Sequence, residues 1–361
     1  MTALVAPLPA RPVARVAVPT FSVIVAAFQA AETIGEAIES ALAQTLPPHE
    51  IIVCDDGSTD DIGGAVARFG ERVRLLRQEH RGPGAAKQTA SEAASGEFVV
   101  VLDADDVFHP RRVEALGEAA AGRPDLDVLT TDAVYEVDGI VVQRCYGSPS
   151  EFVTKDQRRA ILERNFIFGA AAIRRVRLLD VGGFNASLGR LDDWDCWIRL
   201  LLAGSFAGLV NEPLYRYRIR RGSLSFDRAA DLRQEVRMLE RARANPHLRP
   251  DERTLLGHSI RAARNSALSA EAEEAVRHAR RGRRRLLASL AMAGGIPARR
   301  RLVAISALVA PRLAAGRLRR REPHDRLLEP VIRQEQLVNH RGRLRDRRSS
   351  SGSPSSSNPL R

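Results

Sequence analysis

The sequence predicts an α/β protein: a doubly wound, mostly parallel sheet with helices on both faces, followed by a basic α-helical C-terminal extension. Three observations carry this expectation. Strand-like and helix-like stretches alternate four times between residues 21 and 102, a pattern that calls for parallel strands joined by crossover helices. Two acidic clusters, Asp55-Asp56 and Asp103-Ala104-Asp105-Asp106, each follow a run of apolar β-formers. That places both on the carboxyl edge of one sheet, where open α/β sheets bind ligands. Charge also divides the chain. Residues 1–230 carry 26 Lys and Arg against 31 Asp and Glu, whereas residues 231–361 carry 30 Arg against 13 acidic residues.

The elements follow in order. Residues 1–18, broken by Pro7, Pro9 and Pro12, read as a flexible leader without a signal-peptide layout. Residues 21–27 form a first strand. Ile34, Ala37, Ile38, Ala41 and Leu42 share one helical face, and Pro47-Pro48 ends that helix. Residues 50–54 are a second strand, 60–69 a short helix and 73–76 a third strand. The glycine-rich loop at 80–84 precedes a helix over 85–94, with Pro83 suited to a helix start. Residues 98–102 are a buried fourth strand. Beyond it the sequence predicts a helix at 110–121, a strand at 127–131 and a hairpin of 133–137 with 140–142 turning at Asp138-Gly139. A polar helix at 155–164, a strand at 170–173, a turn at Gly182-Gly183, a helix through Trp194 to Leu202 and a last strand at 214–219 complete this unit.

Composition narrows the chemistry. Cys54, Cys145 and Cys196 are far apart and odd in number, which argues against a disulfide framework or a zinc site and fits a reducing compartment. The longest uncharged run, residues 16–31, contains Pro19 and Gln29 and falls short of a membrane span. Three carboxylates within four positions after an apolar strand have two readings. They form an acidic turn capping the next helix, or a hard-metal site, since Mg²⁺ and Mn²⁺ take carboxylate oxygens and keep substrate phosphates as further ligands. A second acidic cluster on the same sheet edge favours the metal.

Six blocks in register carry a resemblance. They are Ser22-Val23-Ile24-Val25; Asp55-Asp56-Gly57-Ser58-Thr59-Asp60; Gly82-Pro83-Gly84-Ala85-Ala86; Leu102-Asp103-Ala104-Asp105-Asp106; Gly182-Gly183-Phe184; and Asp192-Asp193-Trp194-Asp195-Cys196-Trp197-Ile198-Arg199-Leu200. Over residues 20–225 the chain resembles the inverting glycosyltransferases of family 2, with the GT-A fold. The resemblance implies a sugar-nucleotide donor and roles for particular residues. Asp55 or Asp56 meets the base or ribose. Asp105 binds Mg²⁺ or Mn²⁺, which bridges the diphosphate; Asp103 supports the ion or contacts the ribose of the donor, and Asp106 is a local cap. Asp193 is the general base, with Asp192 where the family usually has Glu. His80, Lys87 and Gln88 depart from the family's Asn-x-Gly and Ala-Arg-Asn. Lys87 reads either as a phosphate contact or as a solvated helix lysine. Arg218, Arg220 and Arg221 stand near the family's Tyr-Arg-x-His and are placed to close over the diphosphate, beside Ser223 and Ser225. Trp194 and Trp197 read as an acceptor-stacking pair or as packing.

The chain thus divides into a leader at 1–18, a GT-A domain at 19–228, a helical Arg-rich region at 229–345 and a disordered Ser-rich tail at 346–361. The expected reaction is inverting transfer of a hexosyl-type sugar from a nucleotide diphosphate to an acceptor hydroxyl, in cell-surface polysaccharide or glycolipid synthesis. The implied partners are a glycan or lipid-linked acceptor and an anionic membrane surface contacted by the Arg-flanked apolar stretch at 299–311. That suggests a cytoplasmic protein, peripheral at the inner face of the plasma membrane. Two other readings compete with this one. A nucleotidyltransferase would want a phosphate-cradling glycine loop directly after strand one, where Ala27-Phe28-Gln29-Ala30 stands instead. A nucleic-acid binder would want a reading motif in the basic region, which carries none.

Overall fold

The computed structural model describes residues 18–219, 228–277 and Ile305. Arg220, Arg221, Ser223, Ser225, nearly all of the leader, the stretch at 299–311 apart from Ile305, and the tail lie outside these residues.

The first half has the expected alternation: β1 (Phe21–Ala27), α1 (Ile34–Leu42), β2 (Glu50–Asp55), α2 (Ile62–Ala67), β3 (Arg74–Arg77), α3 (Pro83–Ala93) and β4 (Phe98–Asp103). These strands lie in the order β3-β2-β1-β4, all parallel. Val23, Ile24, Val25, Ile52, Val53 and Val99 to Leu102 are buried in the sheet, as continuous apolar runs in a two-sided sheet should be. α1 packs on it through the predicted face, Ile34, Ala37, Ile38 and Ala41. The chain turns back between β1 and β4, so a crevice opens at their carboxyl ends. There Ala26 is in register with Asp103, and Ala27 with Asp55.

The second half is mixed. It comprises β5 (Val107–Phe108), α4 (Arg112–Gly122), β6 (Val128–Val137), β7 (Ile140–Arg144), α5 (Gln157–Ile161), β8 (Ala172–Arg174), α6 (Arg175–Asp180), α7 (Asp192–Leu202) and β9 (Ala207–Ile219). The sheet continues β8-β6-β9-β5, with β7 paired to β6. β4–β8, β6–β8, β6–β7 and β5–β9 are antiparallel, and β6–β9 is parallel. The all-parallel character therefore belongs to the first four strands; after α4 the β6–β7 hairpin and the reversed β8 bring in antiparallel pairs.

The two strands predicted at 127–131 and 133–137 are one strand, β6, with an irregularity at Asp132. The polar break in the sequence is real, but its carboxylate is satisfied inside the fold. Asp132 Oδ1 accepts from the Tyr146 N–H at 3.0 Å, and Oδ2 accepts from Arg144 Nε at 2.5 Å.

Arg112 is buried without a carboxylate bonded to it. Its guanidinium lies 4.9 Å from the Phe108 ring centroid and 4.8 Å from that of Tyr215. It donates to Thr131 Oγ1 and to the Ala170 carbonyl. Burial pushes its pKa down to about 10, with the Tyr215 phenol opposing. Arg112→Ala is expected to destabilise the fold by about 3–5 kcal/mol through cavity and lost bonds, and Arg112→Met by less, since it keeps much of the stem volume. Urea-unfolding midpoints check this ranking; equal midpoints for the alanine variant and wild type would refute it.

The chain continues into two further helices, α8 (Arg228–Ala242) and α9 (Pro250–Arg277). Met238, Leu239, Leu256 and Ile260 belong to the same buried cluster as the sheet. Arg158 of α5 makes a two-pronged bond to Glu252 of α9, at 2.8 and 2.9 Å. Among the described residues no helix is long and apolar enough to cross a membrane.

Candidate active site

Four elements bring charged side chains to the carboxyl edge of the sheet. β4 ends in Asp103, and the turn to β5 carries Asp105 and Asp106. α7 begins with Asp192 and Asp193. α3 contributes Lys87, which links these groups. Its Nζ lies 3.1 Å from Asp192 Oδ2 and 3.3 Å from Oδ1. Burial works against its charge, but Asp192, Asp103 and Asp193 together hold the ammonium above the usual lysine range. The surface-lysine reading of Lys87 therefore falls: its side chain is 12% exposed and faces carboxylates from two other elements.

Those carboxylates are incompletely compensated. Burial raises the Asp103 carboxyl, Lys87 lowers it and Asp192 raises it further; the net direction is up. Burial and the charge of Asp192 push Asp193 up to about 7, against the pull of Lys87 and of the Trp194 N–H. A carboxyl in that range is matched to accepting a proton near neutral pH. Asp192 also keeps the helix-start role that its position suggests, since its Oδ1 accepts from the Asp193 N–H at 2.9 Å.

Asp106 is not a helix cap. It is 1% exposed, and α4 starts six residues further on, at Arg112. Its Oδ2 accepts from Tyr215 Oη at 2.7 Å, and its Oδ1 from the Arg218 N–H at 2.8 Å. It thereby ties the acidic turn to β9. Burial first, then Asp103 and Asp105, hold its carboxyl well above the ordinary value. Tyr215 Oη also accepts from the Asp103 N–H at 3.3 Å.

Asp55 and Asp56 sit at the end of β2, both buried. Asp55 Oδ1 accepts from the Ser58 N–H at 2.9 Å, and Oδ2 lies 3.6 Å from Arg77 Nε. Asp56 holds the glycine-rich loop. It accepts from the Arg81 N–H at 3.0 Å, the Gly82 N–H at 2.7 Å and Gln78 Nε2 at 2.6 Å, with His80 Nδ1 at 2.9 Å. Gly82 has φ +93, a left-handed conformation in which a side chain would be strained. Beside this loop the half-exposed Phe28 ring stacks on His80, with centroids 4.1 Å apart. The Arg218 guanidinium reaches Glu36 at 2.7 Å and Glu136 at 3.6 Å. Trp194 and Trp197 are buried, and Trp194 Nε1 donates to the Ile161 carbonyl at 2.8 Å; the packing reading of both holds.

Asn165 and Gly169, in the loop between α5 and β8, carry no sequence signal of a site, yet both abut Asp193. Asn165 Nδ2 donates to Asp193 Oδ2 at 3.3 Å. A Cβ on Gly169 would stand 2.8 Å from the same oxygen. A glycine just before a predicted strand was the only hint of this close approach.

Among the described residues no group of three or more His, Cys, Asp and Glu side chains is arranged to hold a metal ion. The protein's share of a divalent site would be Asp103 and Asp105. Hard carboxylate oxygens at both positions, and an Asp103 carboxyl raised by burial and by Asp192, fit Mg²⁺ or Mn²⁺.

The sequence model of the family described as "Glycosyl transferase family 2" matches residues 22–181. The chain is 30% identical to the Glycosyltransferase GlyG of Streptococcus pneumoniae over 219 residues, covering 56% of this chain and 72% of that protein. It is 30% identical to the chondroitin synthase of Escherichia coli over 224 residues, 60% of this chain but only 31% of the synthase. In fold it is similar to S. aureus TarS 1–349 in complex with UDP-GlcNAc, with a TM-score of 0.57, 20% identity, and coverage of 84% of this chain and 93% of that one.

Proposed function

This chain belongs to glycosyl transferase family 2, and from that premise we propose that it transfers a hexosyl-type sugar, with inversion, from a nucleotide-diphosphate donor to an acceptor hydroxyl. One observation carries the reading: carboxylates from β4 and from the start of α7 surround a single half-buried lysine at the carboxyl edge of the sheet. Polysaccharide synthesis is the proposed setting, supported by similarity to part of a chondroitin synthase. The basic region beyond residue 277 is proposed to meet an anionic membrane surface, on composition alone.

The chain's residues divide the work. Asp193 accepts the proton of the acceptor hydroxyl as its oxygen attacks the anomeric carbon. The bond from that carbon to the diphosphate oxygen breaks, and the electron pair leaves with the diphosphate. Attack from the face opposite the leaving group gives inversion. Asp103 and Asp105 would hold the divalent ion, which would supply neutralisation of the charge developing on the diphosphate. Lys87 holds Asp192 in place and adds positive charge beside Asp103. The exposed Phe28 ring gives the nucleobase a flat surface. Arg218 and Arg220 are proposed to approach the diphosphate; for Arg218 this requires exchanging its pairing with Glu36 and Glu136.

A melting-temperature panel tests the reading. UDP-glucose, UDP-GlcNAc, UDP-glucuronate and GDP-mannose are each added with Mn²⁺ or with EDTA. At least one nucleotide sugar is expected to raise the melting temperature with Mn²⁺ and not with EDTA, since a ligand at a hundred times its Kd stabilises by about 2.7 kcal/mol. A stabilisation that persists in EDTA would remove the metal from the proposal.

A further inference from the structure

We infer that Asn165 is a positioning residue for the base: the α5–β8 loop uses its amide to fix the orientation of the Asp193 carboxylate relative to the acidic edge of β4. This deepens the proposed function and rests on Asp193 being the base.

The bonding pattern assigns the amide. Asn165 Oδ1 accepts from the Ile167 N–H at 3.2 Å. That oxygen is thereby committed, so the NH₂ group must face Asp193 Oδ2. The other carboxylate oxygen accepts from the Trp194 N–H at 2.6 Å. Each oxygen has one fixed hydrogen-bond donor and keeps lone-pair capacity for an incoming proton. Gly169 closes on Oδ2 from the same loop, and any side chain there would push the carboxylate aside.

The loop itself is anchored. Tyr146 Oη donates to the Phe166 carbonyl at 2.9 Å and accepts from the Phe168 N–H at 3.0 Å. Arg112 donates to the Ala170 carbonyl. The Phe168 ring packs on Tyr215 at 5.1 Å between centroids, and Tyr215 Oη bonds both Asp106 and the Asp103 N–H. One short segment thus touches the base on one side and the ring that braces the acidic turn on the other. Its contacts set the spacing between proton acceptor and leaving-group end, which transfer needs to be fixed.

The charged groups facing Asp193 are Asp192 on its own helix, Lys87 of α3 and Asp103 of β4; Asn165 is the neutral donor among them. The test uses the full chain and the panel nucleotide sugar that wild type turns over fastest with Mn²⁺, followed by nucleotide release. Asn165→Ala is expected to lower kcat about tenfold or more, the usual worth of a bond to a charged group, with the KM for the sugar donor little changed. It is also expected to move the acid limb of the kcat/KM profile to higher pH, since the charged carboxylate loses a donor. Asn165→Asp keeps the shape and the Ile167 bond but sets an oxygen against Oδ2, so its acid limb should move further in the same direction. A residue with only a structural role would leave the aspartate variant close to wild type. Gly169→Ala should lower kcat independently, with a melting temperature near wild type. Asp193→Asn separates the two levels. If it stays active, the base assignment fails and the inference with it. If it is inactive while both Asn165 variants keep the wild-type kcat and acid limb, the inference is overturned and the base assignment stands.

Discussion

Asp193→Asn is expected to lower kcat by about 10²–10⁴-fold, the range contributed by a positioned general base. Binding of the sugar donor should be retained, because Asn keeps the size of the side chain and leaves Asp103 and Asp105 untouched. The same carboxyl sets the pH dependence. With its pKa near 7, the fraction able to accept a proton falls as pH drops below 7, so wild-type kcat/KM should decline tenfold per unit on the acid side. Stability moves the other way. A carboxyl raised in the fold above its unfolded value binds a proton more tightly when folded, so the fold loses stability as pH rises from about 4 to 7. Asn needs no such proton, and the variant should melt at or above the wild-type temperature at pH 8. A variant that is both inactive and clearly less stable would mean that Asp193 is structural.

Asp105→Asn is the second large effect. Asp103 and Asp105 are the two protein ligands proposed for the divalent ion, and removing one leaves a single carboxylate to hold it. The Mn²⁺-dependent rise in melting temperature with the nucleotide sugar should disappear. kcat/KM should fall about 10³-fold or more, since neutralising the leaving group is worth several kcal/mol and each 1.36 kcal/mol is tenfold. The unliganded protein should fold as before, because the acidic turn is fastened by Asp106 through Tyr215 and the Arg218 N–H. Unchanged Mn²⁺-dependent binding in this variant would exclude Asp105 as a ligand.

Much of this site was legible because its chemistry lies in side chains at the ends of periodic elements. The apolar runs of β1, β2 and β4 and the 3.6-residue face of α1 fix where the chain enters and leaves the sheet. Asp55, Asp103 and Asp105 then fall on one edge by arithmetic alone. Legibility stopped where partners are distant in sequence. Asp106 meets Tyr215 across 109 residues, and Asn165 meets Asp193 across 28; no local pattern encodes either meeting. The one-strand nature of β6 was hidden because Asp132 breaks the apolar run, and donors from Ala133, Arg144 and Tyr146 make that aspartate tolerable. β5 is two residues long, too short for any period. Arg112 reads as an ordinary helix-start arginine until Phe108 and Tyr215 enclose it.

The grip of Asp56 on the glycine-rich loop has a consequence for ionic selectivity. At the start of α3 the backbone N–H groups of Arg81 and Gly82 form a small cationic concavity, the type of place where a phosphate settles on many nucleotide-binding folds. Here the chain has placed its own anion in it, a buried carboxylate bonded to both N–H groups. A phosphate approaching that point would find the Arg81 and Gly82 N–H groups already bonded to a carboxylate. On the proposed function, a diphosphate would then be met by Asp103, Asp105 and a divalent ion rather than by these two N–H groups. That internal carboxylate separates this crevice from those of enzymes that cradle a triphosphate in backbone amides, and on the proposed function recognition of the sugar donor would depend on the supply of divalent cation.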